Sequence, residues 1–315
     1  MIILYTLGLV SAYGIACVSS EADAIVAIVL SLMLLVLLVW GAVSTETGKF
    51  SHALAATAHA VSCLVFAILV TVNDVSWEPT VGYTYNETFV EIDTHVPIRT
   101  VLVSTSFLSG VFHVLAAFFF QQYEVYFRWK DYSLSSPPML VIISLLCGVT
   151  DVFALTSIAI AQTLSMWVVY VVQTQWTGDK RDVLPGGFSE TVALLFVFQT
   201  ILWTPAFSSF GYALTTDTPP PDVASAVLSV MFLLFMSFGV VFVLEKSDQV
   251  SAKTSNVLYI SLSFGAKISL KWMVYSGMKG RSADGGGFTT AAITILLSVC
   301  LGVLNYVKET CYNAQ

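Results

Sequence analysis

What most constrains this chain is a series of ten long, predominantly apolar runs, at about residues 1–18, 24–44, 51–73, 99–118, 124–148, 152–175, 188–211, 223–244, 255–277 and 287–307. A helix needs about 20 such residues to cross the hydrocarbon core of a bilayer. Membrane β-strands are half that length and alternate in polarity, whereas a run such as AIVAIVLSLMLLVLLVWGAV does not alternate. With no water to satisfy its peptide groups, a continuous apolar segment of this kind must bond internally as a helix. Composition agrees, since only 10% of the residues are charged, against about 25% in soluble domains. The predicted fold class is an all-α polytopic membrane protein, with membrane lipid as its first partner.

Other classes are excluded on chemical grounds. The net charge of −7 is spread over loops, and no basic tract exists that would attract nucleic acid. Cys17, Cys63, Cys147 and Cys300 lie in apolar runs and Cys311 in the tail. With no CxxC, they read as packed thiols rather than a disulfide or metal framework. HExxH, GxSxG, P-loop and dinucleotide fingerprints are absent, so nothing points to an enzyme. Residues 1–18 lack the basic flank of a signal peptide and read as a short membrane helix.

Lys and Arg in short loops mark the cytoplasmic side. Lys49, Arg128 with Lys130, Lys180 with Arg181, Lys246 with Lys253, and Lys308 share one side; Lys279 and Arg281 dissent. Stretches 19–23, 74–98 and 215–222, on the other side, contain neither. Residues 74–98 are too polar to span a membrane. Alternating Val81, Tyr83 and Tyr85 predict a β-hairpin there, and Asn86-Glu87-Thr88 is a glycosylation sequon on that non-cytoplasmic side.

The sharpest chemical feature is Lys267, in the middle of LYISLSFGAKISLKW. A lysine at the centre of a membrane helix costs about 2.5–3.5 kcal/mol, so it needs a partner or a chemical role. An isolated one usually snorkels to the interface or lines a polar pore. A lysine held out of water also sheds its proton readily and condenses with aldehydes to a Schiff base. A protonated Schiff base at this depth requires a carboxylate beside it. Asp131, in RWKDYSLSSPPM, is the best placed, about two turns into a helix beginning near 124. Asp151, in CGVTDVFAL, stands at a helix start, where an aspartate more commonly caps the helix.

YISLSFGAK followed by Trp272 resembles the retinal-lysine helix of heliorhodopsins, and RWKDYSLSSPPM resembles their third-helix motif RW-x-E-Y-S-x-S. The resemblance covers about residues 50–277. It implies a seven-helix rhodopsin-like bundle with a cytoplasmic amino end, and a β-hairpin in the first extracellular loop, near a homodimer contact. Retinal, all-trans in the dark, would be borne by Lys267, with Asp131 as counterion and Ser263 one turn before the lysine. Arg128 matches the arginine before the counterion. His59 and His113 match histidines of the first and second helices, although an isolated histidine in an apolar helix is more often a hydrogen-bonded core residue. Trp203, in ILWTPAF, and Phe235 or Phe238 resemble the aromatic wall beside the chromophore; most aromatics in such helices serve packing.

Three departures stand out. The counterion is aspartate rather than glutamate, which shortens its reach and should alter the ion-pair distance and the colour. Lys271 lies one turn beyond Lys267, where the family is usually apolar, and is expected to be neutral, paired or snorkelling outward. Extra terminal helices give the predicted division 1–48, 49–278 (the retinal-binding unit) and 279–315. The function implied is light sensing, with retinal isomerisation changing the cytoplasmic face for an unidentified signalling partner. The alternatives are a light-gated proton or cation channel and a receptor or structural membrane protein without retinal. Pumping ranks lower, because the third helix has no second carboxylate obviously along the path.

Overall fold

The computed structural model describes residues 47–72, 79–85, 88–119, 123–175, 187–216, 220 and 222–280. The terminal runs 1–18, 24–44 and 287–307, and with them the expected extra helices, lie outside the described residues, as does Asn86 of the sequon.

Among the described residues seven helices follow one another: α1 (Thr47–Val72), α2 (Ile98–Val114, continued by a π-helical turn, Leu115–Phe119), α3 (Glu124–Leu146), α4 (Val152–Gln175), α5 (Gly187–Ala213), α6 (Asp222–Lys246) and α7 (Ala252–Gly280). Each packs on the next, and α7 returns to α1, so the bundle closes into a ring. Five of them, α2 and α4 to α7, are long and apolar enough to cross a membrane. The 23-residue α3 carries Glu124, Arg128, Lys130 and Asp131 besides its serines.

Burial grades across the ring. Of the apolar span in α7, 83% is buried, against 22% in α4 and α5, so α7 is the helix the others surround. Leu164, Leu194 and Ile201 are exposed on α4 and α5. In a bilayer such side chains meet lipid, and their exposure carries no hydrophobic cost.

A two-stranded antiparallel hairpin, β1 (Thr80–Tyr85) and β2 (Thr88–His95), joins α1 to α2, where the alternation placed it. Gly82 pairs with Glu91, and a Cβ there would stand 2.3 Å from the Val90 carbonyl oxygen, so only glycine fits. The Gly82 amide donates to the Thr150 carbonyl at 3.1 Å, which ties the hairpin to the turn between α3 and α4. In that turn Gly148 takes φ +91°. Its amide bonds to Leu145 O at 3.0 Å, and that of Val149 to Ser144 O at 2.9 Å, the paired bonds of a glycine-terminated helix.

Asp151 caps α4, as its position suggested: its Oδ1 accepts the Ala154 amide at 2.8 Å. Asp151→Ala should therefore destabilise the protein by about 1 kcal/mol, measured by unfolding in mixed detergent, and should leave the chemistry near Lys267 unaltered.

Candidate functional site

Lys267 and Asp131 meet at the centre of the ring. Lys267 Nζ lies 3.2 Å from Asp131 Oδ2 and donates to Ser263 Oγ, one turn earlier on α7, at 2.6 Å. Lys267 is 4% exposed and Asp131 2%, so neither charge can be solvated from outside. The second oxygen, Asp131 Oδ1, accepts from Ser109 of α2 at 2.5 Å. Next to Asp131, Tyr132 donates its hydroxyl to the Tyr259 carbonyl of α7 at 2.9 Å. This bond fixes α3 against α7 and sets the register in which lysine and carboxylate meet. The Tyr132 ring centroid is 5.4 Å from the Lys267 ammonium, within cation–π range.

From the lysine an open-sided cavity runs between α3, α4, α5 and α6; its empty space, including the part open to the surroundings, is about 840 Å³. Trp129, Tyr132, Met139, Phe196, Phe235 and Phe238 are among its walls. One side is polar: Gln162 donates to Ser136 Oγ at 3.0 Å and accepts from Gln199 at 3.3 Å, while Ser165 bonds Gln199 at 3.2 Å. A long aromatic slot ending on a primary amine suits an apolar aldehyde, and retinal fits that description. Trp203 is fully buried but stands one layer back, its ring 5.3 Å from that of Phe235.

The remaining residues anticipated from the sequence divide between the two ends of the lysine helix. Arg128 is buried, donates to Asn256 Oδ1 at 3.2 Å and lies 4.4 Å from the Tyr259 ring centroid. His59 and His113 stack at 5.6 Å, and His59 also meets the edge of Phe264. Neither ring nitrogen of His59 has a hydrogen-bond partner among the described residues. Lys271 does not snorkel: it is 1% exposed, donates to Ser62 Oγ at 2.6 Å and lies 5.9 Å from the Phe66 ring centroid. Phe66 is packed in turn by Trp272 and Tyr275.

Sequence reasoning missed Ser109, His52 and Glu124. The first two had a signal in spacing. Ser109 precedes His113 by four residues and His52 precedes His59 by seven, which in a helix places each pair on one face.

The heliorhodopsin family model matches residues 49–278. The chain belongs to the heliorhodopsin family. It is therefore an integral membrane protein and a retinal photoreceptor, with the chromophore that family carries. Among solved structures, the transmembrane domain and linker region of the Salpingoeca rosetta rhodopsin phosphodiesterase is similar, with a TM-score of 0.55 and 15% identity over 83% of this chain and 78% of that one. At that identity the likeness shows a rhodopsin fold. No curated protein matches the sequence.

Removing one member of a buried ion pair costs about 3–5 kcal/mol. In retinal-free protein, Asp131→Leu should lower stability by about that amount, and Asp131→Leu combined with Lys267→Met should regain much of it. A double-mutant cycle on detergent unfolding checks this.

Proposed function

We propose that this heliorhodopsin is a light sensor in which retinal, all-trans in the dark, is joined to Lys267 Nζ as a Schiff base with Asp131 as counterion. The observation that carries the reading is the buried contact of Lys267 with Asp131 and Ser263 at the head of the aromatic cavity. When bound, retinal supplies light absorption and isomerisation. The chain's own residues supply the rest. Asp131 Oδ2 balances the positive charge on Nζ, Ser109 holds the other carboxylate oxygen in place, and Ser263 Oγ offers Nζ a polar neighbour. Phe235 and Phe238 confine the polyene, with Trp203 backing Phe235.

Sensing is favoured over transport by a one-sided arrangement. Net transport needs alternating access from both membrane faces. His52, His113 and Glu124 lie toward the start of α3 and α7, whereas the opposite side of Lys267 holds Lys271 bonded to Ser62 and flanked by the Phe66, Trp272 and Tyr275 rings. A proton leaving Nζ would depart and return on one side, and the helix movement would be the output. The lysine-rich loops support a cytoplasmic amino end for the seven-helix unit 49–278 and a cytoplasmic signalling partner. Homodimer formation through the hairpin accords with the family. A light-gated proton or cation channel is the second reading, favoured by the chain of polar groups beside Asp131.

Protein mixed with all-trans-retinal should develop a visible band that Lys267→Ala lacks, and Asp131→Asn should move the band to longer wavelength by removing the counter-charge. A colourless wild type would refute the retinal reading. Under voltage clamp, illumination should evoke no steady current; a current reversing with the proton gradient would establish the channel instead.

A further inference from the structure

We propose that His113, His52 and Glu124 form a proton relay from the Lys267 site to the membrane face where α1 and α3 begin. The inference rests on the reading that light displaces a proton from Lys267 Nζ. His113 Nδ1 is 3.0 Å from His52 Nδ1, and His52 Nε2 is 2.6 Å from Glu124 Oε1. These contacts join α2, α1 and α3 in one unbroken line. The side chain of His52 is 5% exposed and that of Glu124 30%, so the line begins in the protein interior and ends at an acid that water reaches.

The geometry fixes the order of the protons. A carboxylate can only accept, so neutral His52 carries its proton on Nε2 and donates it to Glu124. Its Nδ1 is then an acceptor, and the proton between the two rings belongs to His113 Nδ1. This leaves His113 Nε2 with a lone pair, and that buried atom has no partner among the described residues. A proton arriving at Nε2 makes His113 an imidazolium, which passes its Nδ1 proton to His52 Nδ1. His52 passes its Nε2 proton to Glu124, and Glu124 gives it to water. One proton enters and one leaves. The two rings finish with exchanged tautomers and reset when a proton returns along the same line.

The inner end opens on the counterion. His113 and Asp131 line one small, mainly apolar cavity together with His52, Arg128 and Asn256, with room for about a single water that would bridge its few polar groups. Ser109, on α2 one turn before His113, holds Asp131 Oδ1. The groups facing the relay are His59 of α1, stacked on His113; Arg128 and Asp131 of α3; and Asn256 of α7, which donates to Glu124 while accepting from Arg128. Asn256 thus holds the acid in line with the imidazole, and Arg128 adds positive charge that favours release of the proton.

The test uses retinal-loaded protein in nanodiscs, a laser flash and a water-soluble pH dye. Wild type should show a transient proton release. His52→Gln and Glu124→Gln, with the visible band retained, should slow it by about a hundredfold or more, the low end for a positioned acid or base. Azide, a small diffusible proton carrier, should restore the rate in His52→Gln, which a purely structural role would not allow. Variants with the band that release protons at the wild-type rate would overturn the relay and leave the retinal reading intact; a wild type without a band would overturn the retinal reading. Nitrogen-15 spectra of labelled histidines decide the relay independently of light. The expected pattern has the proton on Nδ1 of His113 and Nε2 of His52, changed by Glu124→Gln at His52, and the opposite tautomers would overturn it.

Discussion

Everything in this bundle is arranged around one expensive contact, the ion pair of Lys267 with Asp131 in the middle of a membrane protein. Two opposite charges removed from water are tolerated only when their remaining hydrogen-bonding capacity is met. Here α7 supplies Ser263 to the amine and α2 supplies Ser109 to the acid. Tyr132 then holds α3 on α7 by bonding a backbone carbonyl. The pair therefore specifies the relative placement of helices α2, α3 and α7, whereas α4 and α5 have lipid-facing exteriors and fewer obligations.

The fold was largely legible in the sequence because the physics that writes it is coarse. A run such as 223–244 has no state in a bilayer other than a helix, and α6 spans Asp222–Lys246. The alternation of Val81, Tyr83 and Tyr85 likewise located β1. The contact of Lys267 with Asp131 was legible for a different reason: an intramembrane lysine demands a carboxylate, and few were available. What stayed hidden depended on distances between helices. Nothing local says that Ser109 meets an acid 22 positions later, or that Tyr132 reaches Tyr259. Glu124 looked like an ordinary acid in a first helical turn, where it favours the helix dipole, until α1 brought His52 against it.

Lys271 shows how a second buried lysine can be absorbed locally. Its stem packs among rings and its ammonium finds one hydroxyl, Ser62. That is a thin solvation shell for a cation, and a neutral amine would be equally well served by it. With Phe66, Trp272 and Tyr275 it fills the side of Lys267 away from His52 and Glu124.

The hydrogen bond from Gly82 to Thr150 makes the hairpin more than a cover. Thr150 follows the turn that ends α3, and α3 is the helix that carries Asp131. The strands are thus tethered to the far end of the same rod that holds Asp131 two turns from its start. An axial slip or tilt of that rod would carry Thr150 with it and pull on the hairpin, which would then act as the needle on a gauge whose spring is the ion pair.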